Sequence, residues 1–450
     1  MRFPDLNGWL AWQETLNPKT IDLGLDRVRR VWGRMGPVQL PFPVITVAGT
    51  NGKGSCVAML QAIYRAAGYR TACYTSPHLL RYTERIRCDG EEVGEQALCE
   101  AFERVDRARG HGPEQVLLTF FEFGTLAALD LFLRWSPDVA ILEVGLGGRL
   151  DAVNLIDPDV ALITTIGRDH MAWLGEDLDA IALEKAGVMR SGRTAVIGSR
   201  VPPPALRARA VEIGAEVAQL GLEFDVHRVP DGWHWQAGGS APLAMPSPAL
   251  RGPFQLDNAA AVLMAVSVLA PRLPVSVNAM RQGLHRAHLA GRFQVFPGAP
   301  TLILDVAHNG QAAQALAENL RAYPCPGRRH AVLGVLRDKA VGEILEPLLP
   351  LFSTWDLGQS DDARALPVAD LHAAVMAAIG AGVDPACVRA HASIAAAVAA
   401  GRARAGVGDC VVVFGSFTTV EVALRGGLME QASPRDPDII VARNRPSDGP

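Results

Sequence analysis

From residue 44 onward, short apolar, β-branched runs alternate with stretches of helical spacing, and few folds accommodate that rhythm. Strands are expected at 44–48, 70–74, 138–144, 160–166 and 194–198. Helices are expected between and after them at 55–67, 96–108, 120–135 and 206–217. The strand runs are apolar throughout rather than alternating with polar residues. Both faces of such a sheet must be covered, which is the habit of parallel strands wrapped by helices. Residues 222–245 break the rhythm with aromatics, Gly and Pro and read as a short β excursion. Helical spacing returns at 257–269 and 277–286. A linker is expected across 292–300, where Pro297-Gly298-Ala299-Pro300 stands. A second, smaller alternation follows, with strands at 302–306, 331–336 and 411–414 and Ala-rich helices between them.

Composition narrows the setting. The chain has 450 residues, 49% of them hydrophobic, which is more than one ordinary core requires and points to two domains. Its formal net charge is only −4, so nothing favours nucleic acid or an anionic membrane as a partner. No apolar run reaches membrane-spanning length, and Met1-Arg2-Phe3-Pro4-Asp5 lacks the layout of a signal peptide. The 7 cysteines are scattered without a Cys-x-x-Cys pair, which argues against zinc or a disulfide framework. A soluble cytoplasmic protein is expected. Lys and Arg total 43, yet only 4 are lysines: Lys19, Lys53, Lys185 and Lys339. Where arginine has replaced lysine so widely, a retained lysine is a candidate for work that needs a compact charge or a neutral amine.

Lys53 has such a place. The strand 44–48 runs into Gly49-Thr50-Asn51-Gly52-Lys53-Gly54-Ser55 and then a helical pattern. Glycines let backbone N–H groups approach phosphates, the helix start adds a positive dipole, and a single lysine reaches the terminal phosphate. The loop departs from the common G-x-x-x-x-G-K-[ST] pattern: Val47 stands at the first glycine position, and Gly54 separates Lys53 from Ser55. The expected fold class is therefore α/β. A P-loop parallel-sheet ATPase-like domain covers residues 1–293, and a smaller Rossmann-like α/β domain covers 294–432. Residues 433–450, with 4 prolines and few large apolar groups, are expected to be a disordered tail.

This loop variant resembles the Mur ligase superfamily, and within it the dihydrofolate synthase/folylpolyglutamate synthase branch. The likeness extends through Thr20-Ile21-Asp22-Leu23-Gly24-Leu25, Ser76-Pro77-His78-Leu79, Thr119-Phe120-Phe121-Glu122 and the run from Glu143 to Ala152. It continues through Asp169-His170, Glu184-Lys185-Ala186-Gly187, Gly291-Arg292-Phe293, Asp305-Val306-Ala307-His308-Asn309 and Gly415-Ser416-Phe417. Each segment alone is weak; their order and spacing together are specific.

The resemblance implies an ATP-dependent ligase that adds L-glutamate to dihydropteroate and to reduced folylglutamates, with two Mg²⁺ per site. Gly49, Thr50, Asn51, Gly52, Lys53, Gly54, Ser55, Asn258, Arg292 and Asp305 would bind ATP. Ser55 would hold one metal, and Ser76, Glu143 and His170 the second. Imidazole ordinarily suits softer metals than Mg²⁺, so His170 is a ligand by resemblance only. Lys185 would be an N6-carboxylysine, which requires an amine that is neutral at some moment. Lys53, Lys185 and His308 are the implied catalytic residues. The folate acceptor would meet Asp22, Leu23, Gly24, Leu25, Thr119, Phe120, Phe121, Glu122, Leu150, Asp151 and Ala152, and the incoming glutamate would meet Ser416.

Blander readings stand beside these. Glu143 is placed equally by a strand-end ion pair with Arg149. Phe120 and Phe121 suit a helix core as well as a pterin-stacking wall. His308 suits a loop hydrogen bond without catalysis, and Lys19 and Lys339 have no assigned role. At the level of function, the alternatives are a cell-wall Mur-type ligase and a P-loop nucleotide switch that needs no amino acid.

Overall fold

The computed structural model describes residues 2–19, 21–229, 232–380 and 384–426. The expected tail at 433–450 lies outside them. The chain divides into two compact units. The larger comprises 1–293 together with 309–323 and 338–348; the smaller comprises 294–308, 324–337 and the remainder from 349.

The larger unit is built on an eight-stranded sheet. Its strands are β1 (Val44–Ala48), β2 (Thr71–Tyr74), β3 (Ile86–Cys88), β4 (Glu91–Glu92), β5 (Val139–Glu143), β6 (Val160–Ile163), β7 (Thr194–Ile197) and β8 (Glu216–Gln219), in the spatial order β4-β3-β2-β5-β1-β6-β7-β8. The six strands from β2 to β8 in that order run parallel, and β3 and β4 form an antiparallel edge. β1 and β5 are buried at every residue, as their unbroken apolar sequences demand. One face is covered by Phe120–Trp135 and Glu95–Arg109, the other by Lys53–Ala66 and Phe254–Leu269. The helix Phe120–Trp135 starts with a capping box: Thr119 Oγ1 accepts from Glu122 N at 3.3 Å, and the Glu122 carboxylate accepts from Thr119 N at 2.8 Å.

Two expectations need correction. The helix expected at 206–217 ends at Ile213, because Gly214 adopts a left-handed φ of +78° and caps it. Residues 216–219 are instead the edge strand β8. The expected linker contains a strand, β12 (Gln294–Phe296), as described below. The excursion at 222–245 is a three-stranded antiparallel sheet of β9 (Phe224–Val229), β10 (Gly232–Ala237) and β11 (Leu243–Met245).

The smaller unit carries a six-stranded sheet: β12, β13 (Thr301–Leu304), β14 (Arg329–Leu333), β15 (Thr354–Leu357), β16 (Val388–Ala390) and β17 (Cys410–Phe414), in the order β12-β13-β17-β14-β15-β16. Only β12 runs antiparallel. It forms a hairpin with β13, and 297–300 is the turn rather than a linker. Among the described residues, no helix is long and apolar enough to cross a membrane.

Candidate active site

The larger unit gathers its chemistry at the carboxyl ends of β5, β1 and β6, where open α/β sheets place their ligand crevices. Residues 49–52 turn β1 into the helix Lys53–Ala66. Gly49 (φ +139°) and Gly52 (φ +89°) occupy backbone conformations that side-chain-bearing residues rarely adopt. Space demands glycine too: a Cβ on Gly49 would lie 1.8 Å from Thr164 Oγ1, and one on Gly52 2.7 Å from Asn258 Oδ1. Thr164 Oγ1 donates to Asn51 O at 2.6 Å, and Thr50 Oγ1 donates to Gly167 O at 3.0 Å, so the loop is pinned from the end of β6. The first helical bond closes from Cys56 N to Gly52 O at 2.9 Å. The amides of Lys53, Gly54 and Ser55 therefore have no partner within the helix and form an anion-binding end.

Two lysines converge on this loop. Lys53 Nζ donates to Gly49 O and Thr50 O, both at 3.1 Å, and Lys185 Nζ donates to the same Gly49 O at 3.0 Å. Burial lowers the Lys53 pKa, opposed by Glu143 and Asp169 and reinforced by Arg292. Burial also lowers Lys185, and the neighbouring Lys53 charge lowers it further, to about 7. Lys185 is thus substantially neutral near physiological pH.

Glu143 ends β5 and is 5% exposed. Its carboxylate accepts from Ser76 N at 3.2 Å, and both its oxygens would lie 3.9 Å from a Cβ built on Gly54. The ion pair expected with Arg149 does not form: Arg149 Nη2 binds Glu184 Oε1 at 2.7 Å. Burial raises the Glu143 pKa, and Lys53 is the foremost opposing influence. No Lys, Arg or His among the described residues lies within ion-pair distance of it. A buried carboxylate without a bonded cation, facing a phosphate loop, fits a divalent cation. Ser55 Oγ, buried in the helix start, accepts from Gln255 Nε2 at 3.2 Å, and Gln255 Oε1 in turn accepts from Asn258 Nδ2 at 3.0 Å. His170 stands after β6 with a left-handed φ of +51°.

A second group of expected residues assembles beside the loop. Gly24 N donates to Leu150 O at 3.3 Å, joining the 22–25 and 150–152 segments. Phe121 stacks near Tyr74, with ring centroids 5.8 Å apart, and its ring fills the space beside Gly145. Phe120 and Phe121 are half-buried, so they pack on the core while keeping an open face. Glu122 is not available as a direct pterin partner: it is 4% exposed, caps Thr119 and binds Arg27 Nη2 at 3.0 Å. Arg27 also pairs with Asp22 Oδ2 at 2.8 Å. Asp151 accepts from Leu146 N and Val153 N at 2.8 and 3.0 Å, and burial still raises its pKa to about 6.

In the smaller unit, Asp305 follows β13 and accepts from Ala307 N at 2.8 Å. His308 Nδ1 lies 2.8 Å from Val306 O; a carbonyl only accepts, so Nδ1 carries the proton. Ser416 Oγ caps the helix Phe417–Arg425 by accepting from Thr419 N at 3.0 Å.

Residues 47–266 match the Mur ligase middle domain, and residues 291–417 match the Mur ligase glutamate ligase domain. The chain is 41% identical over 416 residues to the dihydrofolate synthase/folylpolyglutamate synthase of Escherichia coli K12, covering 92% of this chain and 94% of that one. The chain belongs to the dihydrofolate synthase/folylpolyglutamate synthase family. Its structure is similar to that of E. coli FolC in complex with DHPP and ADP, with TM-score 0.86, 39% identity and coverage of 98% and 99% of the two chains. It is also similar to a bifunctional folylpolyglutamate synthase/dihydrofolate synthase with Mn, AMPPNP and L-glutamate bound, with TM-score 0.83, 40% identity and coverage of 94% and 97%. The fold is thus that of an ATP-dependent, divalent-metal-using ligase for small molecules.

Several residues of this synthase's site were not legible in its sequence. Arg85 Nε donates to His78 Nδ1 at 2.8 Å, and its guanidinium lies 5.1 Å from the Tyr82 ring centre and 5.6 Å from that of Phe120. It places a cation over the Tyr82 and Phe120 rings, and only proximity to the Ser76-Pro77-His78 motif hinted at it. Gln255 and Arg27 gave no signal beyond lying close to Asn258 and Leu25.

Proposed function

We propose that this synthase joins L-glutamate to dihydropteroate, forming dihydrofolate, and to reduced folylglutamates, forming polyglutamates, through an acyl phosphate. The observation that carries this is the phosphate loop with Lys53 and the buried Lys185 on the Gly49 carbonyl beside a buried Glu143 that forms no ion pair among the described residues. That arrangement suits bringing a nucleotide γ-phosphoryl and a carboxylate, two anions, into contact.

In this reading an acceptor carboxylate oxygen forms a bond to the γ-phosphorus while the bond from that phosphorus to the β–γ bridging oxygen breaks, and ADP leaves. The glutamate amine then bonds to the acyl carbon, the carbon–oxygen bond to phosphate breaks, and the amine loses a proton. Lys53 and Arg292 draw the two anions together and hold them in line. Two Mg²⁺, one at Ser55 and one at Ser76, Glu143 and His170, would neutralise the phosphates when bound. Lys185 as the carbamate supplies an anion to that metal set, and an amine that titrates at about 7 supports the modification. His308 is assigned to the incoming amine, and Ser416 to the glutamate. Residues 1–293 are assigned to ATP and folate and residues 294–432 to glutamate ligation. A monomer in the cytoplasm is the proposed working state, in keeping with seven free thiols. The half-open Phe120 beside Tyr82 and Phe121 beside Tyr74 favour a flat pterin over a sugar-peptide acceptor.

ADP release tests this reading. With ATP, Mg²⁺ and dihydropteroate or a reduced folate, release is expected only when L-glutamate is added. Release that ignores both acceptor and amino acid would make the chain a nucleotide switch.

A further inference from the structure

Lys339, one of the two scarce lysines without a role in the sequence, has a fixed partner. Its ammonium lies 2.6 Å from Asp169 Oδ1, with the two side chains only 7% and 10% exposed. Asp338, at 3.3 Å, is the more exposed second carboxylate. Asp169 does more than pair. Its Oδ1 accepts from His170 N at 2.8 Å, and its Oδ2 accepts from Asn309 Nδ2 at 3.1 Å. Asn309 reaches on to Asn51 of the phosphate loop at 3.2 Å. All of these residues belong to the larger unit, although Asn309 and Lys339 come from segments far along the chain.

His170 keeps a left-handed backbone with φ +51°, an uncommon conformation outside glycine, so the groups that hold it there matter. The carboxylate that accepts its N–H is the one Lys339 grips. We infer that Lys339 is a positioning residue for the metal set, which rests on the reading of His170 as a ligand. It neutralises Asp169 and so fixes the loop that presents His170, without touching nucleotide, folate or glutamate. Groups behind a metal ligand typically tune affinity by about 10- to 100-fold. A buried carboxylate stripped of its cation is also worse than one replaced together with that cation.

The experiment compares the full-length wild type with Lys339→Gln, Lys339→Arg and the double variant Asp169→Asn/Lys339→Gln. Mn²⁺ binding in the presence of ADP is followed by electron paramagnetic resonance, which needs no turnover. Steady-state KM for L-glutamate and the half-saturating Mg²⁺ are measured in parallel. Lys339→Gln is expected to weaken Mn²⁺ binding by about tenfold and to raise the Mg²⁺ requirement similarly, with glutamate KM within about twofold of wild type. Lys339→Arg, which keeps the charge, and the double variant, which removes the stranded carboxylate, are expected to recover most of the loss. Wild-type Mn²⁺ affinity in Lys339→Gln would overturn the role, as would a glutamate KM defect with normal Mn²⁺ binding. A double variant as poor as Lys339→Gln would overturn it too, and that variant remains informative if the single one fails to fold. A wild type that binds no Mn²⁺ with ADP would instead remove the metal reading of His170 itself.

Discussion

Lys53→Ala is expected to lower the rate of glutamate-dependent ADP formation by roughly a hundredfold or more, at saturating substrates and Mg²⁺. The expectation follows from where the ammonium sits. It is folded onto the carbonyls of Gly49 and Thr50 at 3.1 Å, at the end of a strand and the start of a helix. Burial lowers its pKa against the opposing carboxylates of Glu143, Asp169 and Asp151, and an anionic nucleotide on the loop would favour the charged form. A preorganised charge of this kind is typically worth about 3–4 kcal/mol in the transition state. The loop itself does not depend on the ammonium, because Thr164 and Thr50 pin it through their own hydroxyls. The variant should therefore keep its melting temperature while losing rate. A kcat within about threefold of wild type would remove Lys53 from the chemistry.

Lys185→Arg is expected to be nearly as damaging, for a different reason. Arginine keeps the charge but never offers a neutral nitrogen to CO₂. In the unmodified chain Lys185 titrates at about 7 rather than at its ordinary 10.5. Carbamylation after CO₂ depletion should therefore be efficient at pH 8, where most of the amine is neutral, and roughly tenfold less efficient at pH 6. Stability carries the same signature. The folded pKa lies below the unfolded one, so the uncarbamylated lysine destabilises the fold fully below about pH 7. That cost fades as pH rises from 7 toward 10.5. Mass spectrometry of the intact protein would show a labile addition of one CO₂ on the wild type and none on Lys185→Arg. Unchanged turnover of Lys185→Arg at ordinary Mg²⁺ would rule the carbamate out.

Long, strongly patterned elements were legible in the sequence, and contacts between distant residues were not. β1, the helix Phe120–Trp135 and the helix Val277–Arg286 fall where hydrophobic spacing placed them, because burial dictates their pattern. β8 was hidden because the apolar spacing of Leu206 and Ala210 continues into Val217; Gly214 was the stop signal that the pattern overran. β12 was hidden because Pro and Gly mark a hairpin turn and a linker alike. The phosphate loop could be seen since strand, glycines, lysine and helix are contiguous. The Lys339–Asp169 pair could not, since its partners are 170 residues apart. Glu122 shows the reverse error: its motif pointed to a substrate contact, and the structure uses its carboxylate to cap a helix and bind Arg27.

One measurement bears most directly on the claim that the phosphate loop activates a carboxylate. Dihydropteroate carrying ¹⁸O in its carboxyl group is turned over with ATP and L-glutamate, and the released phosphate is analysed by mass spectrometry. Transfer through an acyl phosphate predicts one ¹⁸O atom in each inorganic phosphate formed. Phosphate without label, alongside normal amide product, would contradict the account.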